Sequence, residues 1–177
     1  ERGTGTILFR NLKVEVLADG NAHYFNSLNG ENSLQRWWVA PGTKAKAVAG
    51  TGIEITADKS ANGAFRGVIR GIPAKPLQGK RVKVSVDAKT VDLKPVGDTR
   101  TGGKFMMTVR TPGETFYPQN NPVTGTNDWK NYSFEFTVPA NGDKIDFCLG
   151  TERGTGTILF RNLKVEILDT LLDLSKL

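Results

Sequence analysis

Residues 128–139 read Asp128-Trp129-Lys130-Asn131-Tyr132-Ser133-Phe134-Glu135-Phe136-Thr137-Val138-Pro139. Tyr132, Phe134, Phe136 and Val138 alternate with Ser133, Glu135 and Thr137, and a two-residue apolar period is what a strand with one buried face requires. Upstream, Val82, Val84, Val86 and Ala88 alternate in the same way with Lys83, Ser85 and Asp87. Shorter runs of this kind lie at Ala45–Ala49, Ile53–Ile55, Phe65–Ile72, Phe105–Val109 and Ile145–Leu149. Between them stand turn signals: Pro41-Gly42, Asn62-Gly63, Pro73, Gly102-Gly103, Pro112-Gly113 and Asn141-Gly142. No stretch before residue 166 carries a 3.6-residue apolar period. The pattern predicts an all-β chain of about eight or nine antiparallel strands, in a sandwich or closed barrel.

Composition bounds this reading. The 177 residues suit one well-buried core, and 20 Gly with 8 Pro suit many turns. No run approaches a membrane span, and the first residues, Glu1-Arg2-Gly3-Thr4, lack the apolar core of a signal peptide. The single cysteine, Cys148, excludes an intrachain disulfide, and its setting in Asp146-Phe147-Cys148-Leu149 reads as a half-buried strand thiol. A net charge of +6 favours acidic partners, yet no basic run interleaves with aromatics, so nucleic-acid binding rests on charge alone.

One feature is not ordinary. Residues 1–17 and 152–168 are identical except for Val16 against Ile167, at an offset of 151 residues. Two accounts fit equally: a piece of a protein built from near-identical tandem domains, or a terminus duplicated by engineering. Within the segment the apolar positions Ile158 and Phe160 fall out of phase with Leu163, Val165 and Ile167, which predicts a β-bulge at Arg161-Asn162. Beyond it, Leu168, Leu171, Leu172, Leu174 and Leu177 make an apolar stripe too short for a helix stable by itself, and a tail or linker is expected there.

The block 128–139, followed by Phe147-Cys148-Leu149-Gly150 and by Gly156-Thr157-Ile158-Leu159-Phe160-Arg161-Asn162-Leu163, resembles the C-terminal half of jelly-roll carbohydrate-binding modules of the family 4 and family 9 type, sandwiches of the galactose-binding-like class. The resemblance covers residues 125–168 well, and Trp37-Trp38 and Pro76–Lys80 more loosely. Together with the 151-residue offset it sets residues 18–168 as a jelly-roll domain, 1–17 as a duplicate of the final strand, either the tail of a preceding repeat or an exchangeable strand, and 169–177 as tail or linker. It also implies that Trp129 opens a strand packed on the core. The family's closing strand usually carries an Asp that helps hold a structural calcium ion. Arg161 stands there instead, so no cofactor is expected, unless residues near Asp19, Asn29, Glu31 and Asn32 supply other ligands.

The chemistry available is narrow. His23 is the only histidine, which rules out histidine triads and two-histidine metal sites. The glycines of Gly3-Thr4-Gly5 and Gly154-Thr155-Gly156 precede strands, where phosphate binding needs a helix. Asp87 and Glu135 fall on outward strand positions as a carboxylate pair, but 18 acidic residues make accidental pairs common, and no enzyme is expected. Rings beside amides are the natural tools of a sugar binder. Strand alternation sends Trp37 and Trp38 to opposite faces, one for the core and one for ligand. Phe116-Tyr117-Pro118-Gln119-Asn120-Asn121-Pro122 mixes rings with amides, and Arg66, Arg70 and Arg110 fall at outward strand positions, where they suit charge-assisted bonds to a ligand. The candidate ligand set is therefore Trp37, Trp38, Arg70, Arg110, Tyr117, Gln119 and Asn120.

Two functions follow. One is a non-catalytic glycan-binding module of a secreted or surface protein, an ancillary domain of a glycoside hydrolase for instance, with a polysaccharide ligand that the positive charge allows to be acidic. The other is an assembly repeat that self-associates by strand exchange, because residues 1–17 and 152–168 compete for one place in a sheet.

Overall fold

The structure is a computed structural model that describes residues 22–28, 34–50, 52–58, 64–96 and 102–168. Among them are the strands β1 (Ala22–Ser27), β2 (Trp38–Val39), β3 (Lys44–Val48), β4 (Gly52–Ala57), β5 (Phe65–Ile72), β6 (Arg81–Pro95), β7 (Gly102–Arg110), β8 (Thr115–Phe116), β9 (Gly125–Thr137), β10 (Lys144–Glu152) and β11 (Gly154–Ile167). A single 3-10 turn at Lys75–Leu77 interrupts them, entered through Pro76. Residues 1–17, 169–177, and the alternative calcium ligands Asp19, Asn29, Glu31 and Asn32 lie outside the described residues.

The strands form the two sheets of a jelly-roll sandwich. The first runs β3-β4-β11-β6-β9, with β1 also on β11, and the second runs β2-β5-β10-β7-β8; all pairings are antiparallel. Eleven strands replace the expected eight or nine, because β2 and β8 are two residues each and too short to display an alternation.

The core lies where the alternation placed it. Val82, Val84, Val86 and Ala88 of β6, in the first sheet, and Ile145, Phe147 and Leu149 of β10, in the second, are all buried in one cluster. Tyr132, Phe134 and Phe136 pack against that cluster as half-buried side chains, since β9 is the edge of its sheet. Two tilted ring pairs tie the sheets together: Phe105 with Phe134 at 5.0 Å between centroids, and Phe116 with Phe136 at 5.8 Å.

The bulge on β11 is present. Arg161 pairs Asp87 and Lys164 pairs Ser85, so Asn162 and Leu163 together stand opposite Val86. Asn162 takes φ +54°, a left-handed conformation that asparagine tolerates better than most residues. The irregularity restores the phase of the strand, so Ile158, Phe160, Leu163 and Val165 are all buried. It also divides β11 in two along the side away from β6: Gly156–Phe160 pair with β4, and Leu163–Ile167 pair with β1. The strand thereby has a partner on both sides over Gly156–Phe160 and again over Leu163–Ile167.

Candidate functional site

On β10 the residues that point away from the core are Asp146, Cys148 and Gly150, and a side chain on an outer sheet face is normally wet. Here Asp146 and Cys148 are each only 7% exposed, although they are not part of the core cluster. The outer face of the second sheet is therefore a trough, with β10 along its floor.

Pairing registers give its cross-section. Trp38 of β2 stands opposite Ile69 of β5, Ile69 opposite Cys148, Cys148 opposite Met106 of β7, and Met106 opposite Gln119. The same register, Val109 to Phe116 and Arg110 to Thr115, sets Tyr117 opposite Thr108 on this outer face, one row from Gln119. With strands 4.7–4.9 Å apart, the row from Trp38 to Gln119 spans about 19 Å. Trp38 at one rim is 56% exposed and Tyr117 at the other 58%, the exposed rings among the described residues.

Polar groups flank this apolar row. Toward one end, Arg110 Nη1 lies 3.1 Å and Lys144 Nζ 3.6 Å from Asp146 Oδ2. Toward the other, Lys104 is paired with Glu152. The floor between is smooth for a steric reason: at Gly150, with φ +156°, an added Cβ would fall 2.1 Å from the Arg66 carbonyl oxygen. Burial pushes the Cys148 thiol above its ordinary value, and Thr108 Oγ1 is 4.0 Å from the sulfur, so it is a floor group and no nucleophile.

Around the β8 edge, Gln119 is shared with a second depression of ≈ 690 Å³ that runs along β9. Its lining includes Asn120, Asn121, Asn127, Asn131, Tyr132 and Ser133, and no charged side chain. Several amides there are already oriented. Asn120 Oδ1 accepts from the Phe105 amide at 3.1 Å, and Asn127 Nδ2 donates to Thr90 Oγ1 at 2.9 Å and to the Thr124 carbonyl at 2.8 Å.

Of the residues singled out from sequence, the structure thus gathers Trp38, Arg110, Tyr117 and Gln119 on the trough and places Asn120 in the adjoining cleft. Trp37 and Arg70 are set apart from it. Trp37 is 7% exposed in the core, and Arg70 shares its inward parity with Val68 and Ile72. The Arg70 guanidinium lies 5.9 Å from the Trp37 ring centroid and donates to Ser27 Oγ at 3.0 Å. Arg66 has this parity as well. The error has a simple source: apolar period alone does not tell which parity of Phe65–Ile72 is inward. Asp146, Lys144, Lys104 and Thr108 were missed, and the sole available signal was their alternation with the buried residues of the same strands.

Trp129 also departs from expectation. It is absent from the core cluster and stands on the outer face of the first sheet, with the Arg161 guanidinium 4.0 Å from its ring centroid. Arg161 Nε is 3.5 Å from Asp87 Oδ2, an ion pair too long for a hydrogen bond, while Asn131 and Asn162 donate to the two Asp87 oxygens at 2.9 and 2.8 Å. A guanidinium cannot ligate a cation, so Arg161 supplies no ligand to a calcium ion. Burial raises the Asp87 carboxyl, but the bonds from Asn131 and Asn162 and the Arg161 charge outweigh it and leave the group below its ordinary value.

A folded-state value below the unfolded ~3.9 means that Asp87 stabilises fully above about pH 4 and less as pH falls through its lowered value. Asp87→Asn is therefore expected to lower the urea midpoint at pH 7 and to flatten its fall between pH 4 and pH 2. Parallel acid limbs in parent and variant would show that Asp87 does not carry this dependence.

No family model matches the chain, and no curated protein matches it by sequence. Solved structures do. The C-terminal family 22 carbohydrate-binding module of Clostridium thermocellum Xyn10B is 15% identical with a TM-score of 0.61, over 88% of this chain and 98% of that one. A family 22 xylan-binding domain of Paenibacillus barcinonensis Xyn10C is 16% identical with a TM-score of 0.59, over 84% and 96%. A family 4 carbohydrate-binding module is 17% identical with a TM-score of 0.53, over 81% and 94%. At these identities the likeness is one of fold, and it is the jelly-roll sandwich that the closing strands resemble.

Proposed function

We propose that this chain is a non-catalytic glycan-binding module whose ligand lies across the trough of the second sheet, from Trp38 to Tyr117 and Gln119. The observation that carries the reading is the row Trp38–Ile69–Cys148–Met106–Gln119, an apolar floor with the exposed Trp38 ring at one end and, one row from Gln119 at the other, the exposed Tyr117 ring. An apolar sugar face packs on a flat ring, and Arg110, Asp146, Thr108 and Gln119 stand where they can bond hydroxyls at the ring edges.

The disposition of acids supports binding without hydrolysis. Asp146 and Glu152 are six residues apart on one strand, about 20 Å, where a glycosidase pair needs roughly 5–9.5 Å. Asp87 and Glu135 lie four residues apart in the register of β6 and β9, on the opposite outer face, and each already has a partner. The matching of each trough carboxylate by a cation, and the uncharged amide cleft beside it, favour a neutral chain over an acidic one. A secreted or cell-surface parent, such as a hydrolase with this module appended, is the setting that the reading implies.

Xylan is the first probe, because a domain of similar fold binds it. Affinity electrophoresis through soluble xylan, a neutral glucan and a uronic-acid polymer is expected to retard the protein in a neutral gel. Unretarded migration in all three would overturn the proposal, and retardation in the uronic gel alone would overturn the neutral assignment.

A further inference from the structure

The place that β11 fills is written into the chain twice. Ile158, Phe160, Leu163 and Val165, which bury there, have counterparts in Ile7, Phe9, Leu12 and Val14, and Asn162 at the bulge has Asn11. Every buried side chain of the strand, and the residue that accommodates its positive φ, is thus present in residues 3–16. The one change, Val16 for Ile167, falls at the end of the strand and removes a single methylene from a half-buried position.

Connectivity also admits both copies. β11 is entered from β10, which belongs to the opposite sheet, through Arg153 at φ +48°. The far end of the place lies beside β1, where Ala22 pairs antiparallel with Ile167. The counterpart of Ile167 is Val16, so Leu17-Ala18-Asp19-Gly20-Asn21 would be all that separates the second copy from its β1 partner. Five residues containing Asp-Gly are a hairpin connection. Closure entropy grows only logarithmically with loop length, so sequence proximity does not reserve the place for the C-terminal copy.

We propose that the place between β4 and β6 has two interchangeable occupants in one chain, residues 154–167 and residues 3–16, the second entering as a hairpin with β1. Whichever copy is displaced is an extended amphipathic segment of the same sequence, available to a second molecule of this chain.

The test uses full-length chains carrying Phe9→Asp, Phe160→Asp or both, followed by thermal unfolding and by size-exclusion chromatography with light scattering. A carboxylate at this buried position disqualifies the copy that bears it. Each single variant is expected to melt cooperatively within a few degrees of the parent and as a monomer, and the double variant to lose its cooperative transition. Ile7→Asp and Ile158→Asp, singly and together, should repeat the pattern. Phe160→Asp as unfolded as the double variant would overturn the proposal. Phe160→Asp folded only as a dimer or larger species would overturn entry as a hairpin within the same chain.

Discussion

Phe147→Ala is expected to cost about 3–5 kcal/mol, a large share of the 5–15 kcal/mol that a domain of this kind possesses. Phe147 is fully buried on β10, the central strand of the second sheet, between Arg70 of β5 and Met107 of β7. Its ring fills the layer between the sheets, and backbones paired on both sides leave little room for collapse into the space that alanine would open. Unlike Phe160, it has no second copy in the chain, so no alternative strand can restore the contact. Phe147→Leu should cost under about 1.5 kcal/mol, because it keeps most of the volume. Urea titrations at one pH measure both. A loss below about 1 kcal/mol for the alanine variant would mean that the inner face of β10 has been assigned to the wrong parity.

Trp38→Ala and Tyr117→Ala are expected to have the opposite profile. Both rings are more than half exposed, so the urea midpoint should barely move. If the proposed ligand buries them, each ring would be an aromatic anchor worth about 2 kcal/mol, and each substitution should weaken binding of the retained polysaccharide about thirtyfold. Trp37→Ala is the control in the other direction, because it opens the core and should lower stability. Calorimetric titration of the variants against a soluble oligosaccharide separates the two effects. Full affinity in the Trp38 and Tyr117 variants would remove the rings from the ligand while leaving the fold untouched. The amide cleft then becomes the site to examine, beginning with Asn121→Ala, since no hydrogen bond from that side chain holds the loop.

The strands with one wet face were legible in the residues: β6 and β9 by their alternation, β11 by its alternation and by a slip of phase that could mean only an extra residue. The same physics limited the rest. In β5 both parities contain residues that tolerate burial, and Arg66 and Arg70 were placed at outward positions. The fold instead lets Arg70 turn inward against Trp37 and Ser27. In β10 the residues of both faces have low exposure, so alternation puts Asp146 and Cys148 on the outer face without marking that face as a floor. Trp129 was assigned to the core through the family resemblance, but its position in β9 has outward parity, and Arg161 from β11 covers it.

Sequence by itself determined the all-β class, the inner faces of the long strands, the bulge at Asn162, the opposite faces of Trp37 and Trp38, and the existence of two copies of one strand. These follow from side-chain period and from backbone preference, which are local. Tertiary structure alone decided that Trp38, Cys148, Met106 and Gln119 form one row, since four strands far apart in sequence must pair in register before their outer residues align. It alone decided that Ala22 pairs with Ile167 at the end of β11, because adjacency to β1 is a property of the sheet order and is not encoded in any single segment.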